Sequence, residues 1–143
     1  AKLGASDVLG IDIDEDAVRV SNENYNLNGV SDRAKAIIGD LTAGVDYKAN
    51  IVVANLLADI IIRLLKDVAR HLEENGIFII SGILTDKSEL VERCIEDCKF
   101  RILEKNILGE WCSIVAMNTA NLQGYACFQH NHHWFKRSVK WQS

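Results

Sequence analysis

Short apolar runs alternate along the chain with stretches in which apolar residues recur every three or four positions. Val8 to Ile13 (VLGIDI) is a run of the first kind and predicts a strand ending in acidic residues. Asp16 to Leu27 has helical spacing through Ala17, Val20, Asn24 and Leu27, with Asn28-Gly29 as its stop. Ala34 to Ile38 predicts a second strand, closed by Gly39-Asp40. Ile51 to Leu57 (IVVANLL) predicts a third, the most apolar of the set. Asp59 to Glu74 reads as a long amphipathic helix with Ile61, Leu64, Leu65, Val68 and Leu72 on one side and Asn75-Gly76 as its end. Ile77 to Ile83 predicts a fourth strand, and Asp86 to Cys98 a helix capped by Thr85. Arg101 to Ile107 and Trp111 to Ala116 predict two last strands joined through Gly109-Glu110.

This β-α-β-β-α-β-α-β-β order predicts an α/β fold. Apolar strands between amphipathic helices predict a mostly parallel sheet covered on both faces. The last two strands have no helix between them, so an antiparallel pair at a sheet edge is expected.

Composition narrows the class. The chain has 143 residues, 48% hydrophobic and 25% charged, which fits one globular core and excludes a disordered chain, a collagen-like fibre or a disulfide scaffold. No run approaches the ~18 apolar residues of a membrane span, and the amino end has no signal-peptide pattern, so no membrane partner is expected. The net charge of −4 argues against nucleic acid as a direct partner. Four cysteines without CxxC spacing or nearby ligands predict free thiols in a reducing cytoplasm, with no metal site. Cys94 and Cys98 fall on one face of a helix, and a half-buried face explains them best.

The pattern breaks near Met117, the only methionine. Residues 1–117 form the α/β unit. Residues 118–143 hold three basic and no acidic residues, so the first 117 carry 13 of the 16 basic residues, all 20 acidic ones, and a net charge of −7. This basic aromatic tail has the character of a nucleic-acid stacking arm, but nothing in it patterns as a packed element. An appendage without an evolved role is the preferred reading.

In open parallel sheets, ligands bind beyond the carboxyl ends of the strands. Asp12 ends the first strand, where an acid has no propensity reason to stand, and a carboxylate there can accept two ribose hydroxyls. Asp14 and Asp16 suit the start of the following helix, and capping is the preferred role for both. Asp40, after the second strand, is either an adenine contact or a turn residue beside Gly39. Asn55 lies inside an apolar run and needs partners if buried, so it orients a ligand at the crevice or ties down a loop. Ser81 and Gly82 are small enough to admit a ligand or a backbone.

The segments AKLGASDVLGIDIDEDAV, NLNGVSDR, IVVANLLADII, SGIL and GEWC, in this order and spacing, resemble the ribosomal protein L11 methyltransferase family. The resemblance covers nearly all of residues 1–117. It implies a Rossmann-like, class I methyltransferase sheet and S-adenosylmethionine as cofactor. It also implies methyl transfer to amino groups of a large-subunit ribosomal protein, in the cytoplasm. The family's cofactor-binding acid falls on Asp12 and its crevice asparagine on Asn55, while Asp40 is the adenine candidate. For the full enzyme the resemblance further implies that the amine is methylated in its neutral form without a covalent enzyme intermediate, and no residue here stands out as a general base.

The sequence departs from the family at its front. The glycine-rich GxGxG loop, the strand before it and the family's amino-terminal recognition domain have no counterpart. The family strand order 3-2-1-4-5-7-6 then loses its central strand. Two strands on one side and four on the other are expected to expose unpaired edges. Leu122 to Gln129 is a candidate to fill the gap. The chain alone is expected to bind cofactor weakly or not at all. Two alternatives stand beside this reading: a class I methyltransferase with another acceptor, and a non-catalytic fragment or interaction module.

Overall fold

The computed structural model describes residues 1–119. Six strands and three helices run in the order β1 (Val8–Asp12), α1 (Glu15–Leu27), β2 (Ala34–Ile38), β3 (Ala49–Asn55), α2 (Ala58–Val68), β4 (Leu72–Leu84), α3 (Ser88–Asp97), β5 (Phe100–Leu108) and β6 (Trp111–Asn118). The strands form two sheets. β1 pairs in parallel with β2, and a second sheet has the order β3-β4-β6-β5. β3 and β4 are parallel, whereas β6 runs antiparallel to both β4 and β5. This is the order 3-2 and 4-5-7-6 that the family resemblance implies, with β5 at the edge. Among the described residues β1 pairs with β2 alone and β3 with β4 alone. The segment Leu122 to Gln129 lies outside the described residues.

Local chemistry explains α1. The Asp14 carboxylate accepts from the Asp16 N–H at 2.9 Å and caps the helix, as expected. Arg19 then bridges Asp16 and Glu23 along the exposed face. Gly29, at φ +64, turns the chain out of the helix. On its inner side, Asn22 takes both backbone groups of Ala36 in β2: its amide donates to the carbonyl at 3.0 Å and its oxygen accepts from the N–H at 2.9 Å.

The core lies between the larger sheet and the pair α2 and α3. Ile61, Leu64, Leu65 and Val68 of α2 and Val91 and Ile95 of α3 pack on Phe78, Ile80, Ile83, Ile114 and Ala116. Each such aliphatic side chain contributes about 1.5–3 kcal/mol by burial. Phe78 and Phe100 meet with ring centroids 6.0 Å apart.

Four expectations need correction. The third strand stops at Asn55, because Leu57 already leads into α2. The helix expected to reach Glu74 ends at Val68, followed by a single 3-10 turn over Ala69–His71. Tertiary bonding overrides the apolar period there: the buried His71 ring donates from Nδ1 to the Tyr47 carbonyl at 3.0 Å and accepts at Nε2 from Arg70 Nε at 3.1 Å. Leu72 thus starts β4 opposite Ala49, and pairing resumes at Ile51 with Ile77. The Asn75-Gly76 signal, with Asn75 at φ +60, marks this interruption in β4, not a helix end. Thr85 opens a 3-10 turn and makes no capping bond; its buried hydroxyl has no hydrogen-bond partner.

The fourth correction concerns coverage. The face of the larger sheet opposite α2 and α3 is open enough to leave Ile51 and Val53 56% and 68% exposed. β3 is apolar on both faces, as a strand buried on both sides would be, but the described helices cover only one of them.

Candidate functional site

The strand ends carry the polar chemistry. Asp12 closes β1 opposite Ile38 of β2, and Asn55 closes β3 opposite Ser81 of β4. The Asp12 carbonyl accepts from the Gly39 N–H at 2.9 Å, which locks the two strand ends together. The exposed Asp12 carboxylate accepts from the Asp14 N–H through Oδ1 at 2.9 Å. That bond fixes its direction and leaves Oδ2 as an acceptor. Ile13 and Ile38 stand exposed at the same two strand ends. Next to them, Asp14, Glu15, Asp16, Val18, Arg19 and Ile38 line an open cleft of about 400 Å³.

Asp40 behaves partly as a turn residue, its carbonyl accepting from the Ala43 N–H at 3.1 Å. Its exposed carboxylate meets Arg63 of α2 at 3.4 Å. Thr42 adds a 2.9 Å bond to Asp67 of α2. The loop after β2 is thereby tied to α2, beside the larger sheet.

On the larger sheet, bridge partners on the face away from α2 and α3 fall into rows. Ile51, Ile77 and Met117 form one row, and Val53, Ile79 and Val115 the next. The following positions are polar: Asn55 beside Ser81, and Ser113 beside Asn106. Leu108 and Trp111, paired one step further at the tip of the β5–β6 hairpin, are 84% and 53% exposed. These polar positions, with Leu108 and Trp111, line an open cleft of about 460 Å³.

Gly82 shapes this second cleft. It adopts φ +79, and a Cβ there would lie 2.6 Å from Asn55 Oδ1 and 2.9 Å from the Leu56 carbonyl oxygen. The neighbouring Leu56 N–H donates to the Ser81 carbonyl at 3.1 Å. The small residues at 81 and 82 therefore admit the chain that carries Asn55. Of the cleft's lining residues only Cys112 titrates, and burial pushes its thiol up, against the opposing pull of Lys105. Glu104 lies just outside, where its carboxylate accepts from Asn106 at 2.8 Å.

Asp12, Asp40 and Asn55 thus all stand at or just beyond the carboxyl ends of parallel strands. Asn55 lines the second cleft, whereas Asp12 and Asp40 line neither, and the two clefts share no residue. Residue-by-residue reading passed over Leu108, Trp111, Asn106 and Ser113. Only the β5–β6 register brings them beside Asn55.

Comparison with known proteins adds an independent observation. Residues 1–119 match the family described as ribosomal protein L11 methyltransferase (PrmA). The chain is 43% identical over 116 residues to the ribosomal protein L11 methyltransferase of Alkaliphilus metalliredigens, covering 81% of this chain and 37% of that protein. It is 45% identical over 118 residues to the ribosomal protein L11 methyltransferase of Caldicellulosiruptor bescii, covering 82% and 38%. The chain therefore spans less than two fifths of these relatives' length. A crystal structure of ribosomal protein L11 methylase from Lactobacillus delbrueckii subsp. bulgaricus superimposes with a TM-score of 0.77 at 36% identity, over 80% of this chain and 59% of that one. The M. jannaschii tRNA m1G37 methyltransferase, at 22% identity and a TM-score of 0.65 over 78% of this chain and 38% of that one, shares the fold. The fold is the Rossmann-like sheet of class I methyltransferases. With the strand order and the match over residues 1–119 in agreement, the chain belongs to the ribosomal protein L11 methyltransferase family.

Proposed function

We propose that the chain supplies the ribose-side and acceptor-side strands of an S-adenosylmethionine-dependent methyltransferase acting on amino groups of ribosomal protein L11. The relatives that match it are named ribosomal protein L11 methyltransferase, which supports a methyl transfer to that protein. The observation that carries the reading is the Asp12 carboxylate, exposed at the end of β1, aimed by the Asp14 N–H and keeping one oxygen for a ligand. A ribose diol fits such an acceptor. Ile13 and Ile38 offer apolar surface at the same strand ends for an adenine ring. Asp40, held by Arg63 at the long distance of 3.4 Å, keeps an acceptor for the adenine amino group. Asn55 places the reacting end of the ligand at the neighbouring sheet.

When bound, S-adenosylmethionine supplies an electrophilic methyl carbon on a positively charged sulfur. The chain's own part is to position the groups and exclude water. No side chain of the cleft takes the amine proton, since Cys112 is held protonated by burial. Solvent receives it. No described helix is long and apolar enough to cross a membrane. A ribosomal protein substrate would be met in the cytoplasm.

Nuclear magnetic resonance titration with S-adenosylhomocysteine tests the reading. Millimolar ligand should shift the amides of Ile11–Asp14 and Ile38–Asp40, and Asp12→Ala should abolish those shifts. An undisturbed Asp12 region, or identical shifts in the variant, overturns the assignment.

A further inference from the structure

Near its start, β4 leaves its ladder. Leu72 pairs with Ala49 and Ile77 with Ile51, so Glu73, Glu74, Asn75 and Gly76 stand opposite Asn50 alone. This excursion turns tightly on its last two residues. Asn75 takes φ +60, a left-handed backbone that asparagine enters more readily than most residues. At Gly76 a Cβ would lie 2.8 Å from the Glu73 carbonyl oxygen and 2.9 Å from Leu72 Cδ2, so only glycine fits. One position favours asparagine and the next demands glycine, and the turn thereby presents an Asn-Gly pair with its asparagine exposed. We infer that Asn75 is a modification site, at which spontaneous closure of a succinimide ring converts the amide to aspartate and isoaspartate. The step needs only water. The Gly76 backbone nitrogen attacks Asn75 Cγ and forms a C–N bond. The side-chain nitrogen leaves as ammonia, carrying the Gly76 amide proton. Water then opens either ring carbonyl. One opening gives aspartate; the other gives isoaspartate, whose main chain is longer by a methylene. Glycine suits the attack because no side chain hinders its nitrogen.

The chain holds a second Asn-Gly pair, Asn28-Gly29, and the fold treats the two differently. Asn28 Nδ2 donates to the Asn24 carbonyl at 2.8 Å, and the Gly29 N–H donates to the Asn26 carbonyl at 3.0 Å. Both reacting groups are thus engaged at the end of α1. The Asn75 side chain is exposed, and among the described residues it makes no hydrogen bond. Its turn lies between two paired stretches, so it can reach the attack geometry while Leu72 stays beside Ala49 and Ile77 beside Ile51. Either product adds a carboxylate next to the exposed Glu73 and Glu74, where like charges repel. Isoaspartate also lengthens the turn that follows the buried Leu72, which loosens the start of β4.

The test incubates the whole chain, folded and in urea, at mildly alkaline pH in heavy-oxygen water. Peptide mapping by mass spectrometry locates the converted residues, and chromatography separates isoaspartate from aspartate. In urea the two pairs should convert at similar rates, since no fold distinguishes them. In the folded chain Asn28 should convert about tenfold more slowly than Asn75, because two hydrogen bonds must open first. Asn75→Gly accepts the left-handed backbone and removes the amide, so it should fold and show no conversion at position 75. After ageing, the unmodified sequence should lose part of its urea midpoint while Asn75→Gly keeps its own. Equal rates at the two pairs in the folded chain, or faster conversion at Asn28, overturn the proposal. So does an Asn75 that keeps its amide when folded and loses it only in urea, since the turn then protects the pair. Isoaspartate at position 75 with an unlowered midpoint overturns the loosening of β4.

Discussion

Gly82 stands against Asn55 so closely that a Cβ at position 82 would lie 2.6 Å from Asn55 Oδ1. Glycine is required twice over, since the backbone there has φ +79. Gly82→Ala should cost about 1–2 kcal/mol for the left-handed backbone alone, before any shift of the Leu56 carbonyl. Urea denaturation measures that loss. The Asn55 side-chain amide resonance should move in the same variant, and an unmoved resonance would show that the contact is not formed.

Asp12 is predicted to separate its structural and ligand roles by substitution. Asp12→Asn keeps an Oδ1 to accept from the Asp14 N–H, so stability should change by less than about 0.5 kcal/mol. Ligand affinity should still fall about fivefold, because a charged acceptor is worth roughly 1 kcal/mol more than a neutral one. Asp12→Ala should lose both. Titration with S-adenosylhomocysteine, paired with urea melts, checks each arm; equal affinity in Asp12→Asn would refute the charge argument.

Alkaline pH is predicted to destabilise the chain. Burial raises the thiols of Cys98 and Cys112 above their ordinary 9.0, and burial together with Asp7 raises the Tyr47 hydroxyl above 10.0. Each group holds its proton more firmly when folded. Below the ordinary values both states are protonated and pH has no effect through them. Above those values the unfolded chain releases its protons first, so stability falls as pH rises. Urea midpoints under reductant should be flat from neutrality to about pH 8.5 and decline beyond it. A midpoint that climbs through that range would contradict the assignment.

His71 is predicted to set where α2 ends. His71→Phe keeps the ring volume but leaves the Tyr47 carbonyl without its donor, at a cost of about 1–3 kcal/mol. Hydrogen exchange should report faster opening at Leu72, whose strand begins beside Ala49. Unchanged stability and exchange would mean that the bond to Tyr47 does not set the boundary.

Local signals in the sequence were sufficient for most of the elements and for the Asp14 cap, because period, turn residues and capping chemistry act within a few positions. The boundary after α2 was illegible because a bond to Tyr47, 24 residues away in sequence, decides it. Thr85 looked like a cap, but its hydroxyl faces a buried site without a partner. Asp12 and Asn55 stood out by being polar where a strand wants apolar residues. Asn106, Ser113 and Trp111 did not, since polar and aromatic residues are ordinary on an edge hairpin. Their significance depends on β6 inserting between β4 and β5, which no local pattern encodes.

The clasp of Asn22 on Ala36 makes the smaller sheet directional. Both backbone groups that Ala36 would offer to an incoming strand are already occupied by a side chain from α1. A polypeptide approaching β2 from outside meets a blunted margin at Ala36, which disfavours extension of the two-stranded ribbon on that side.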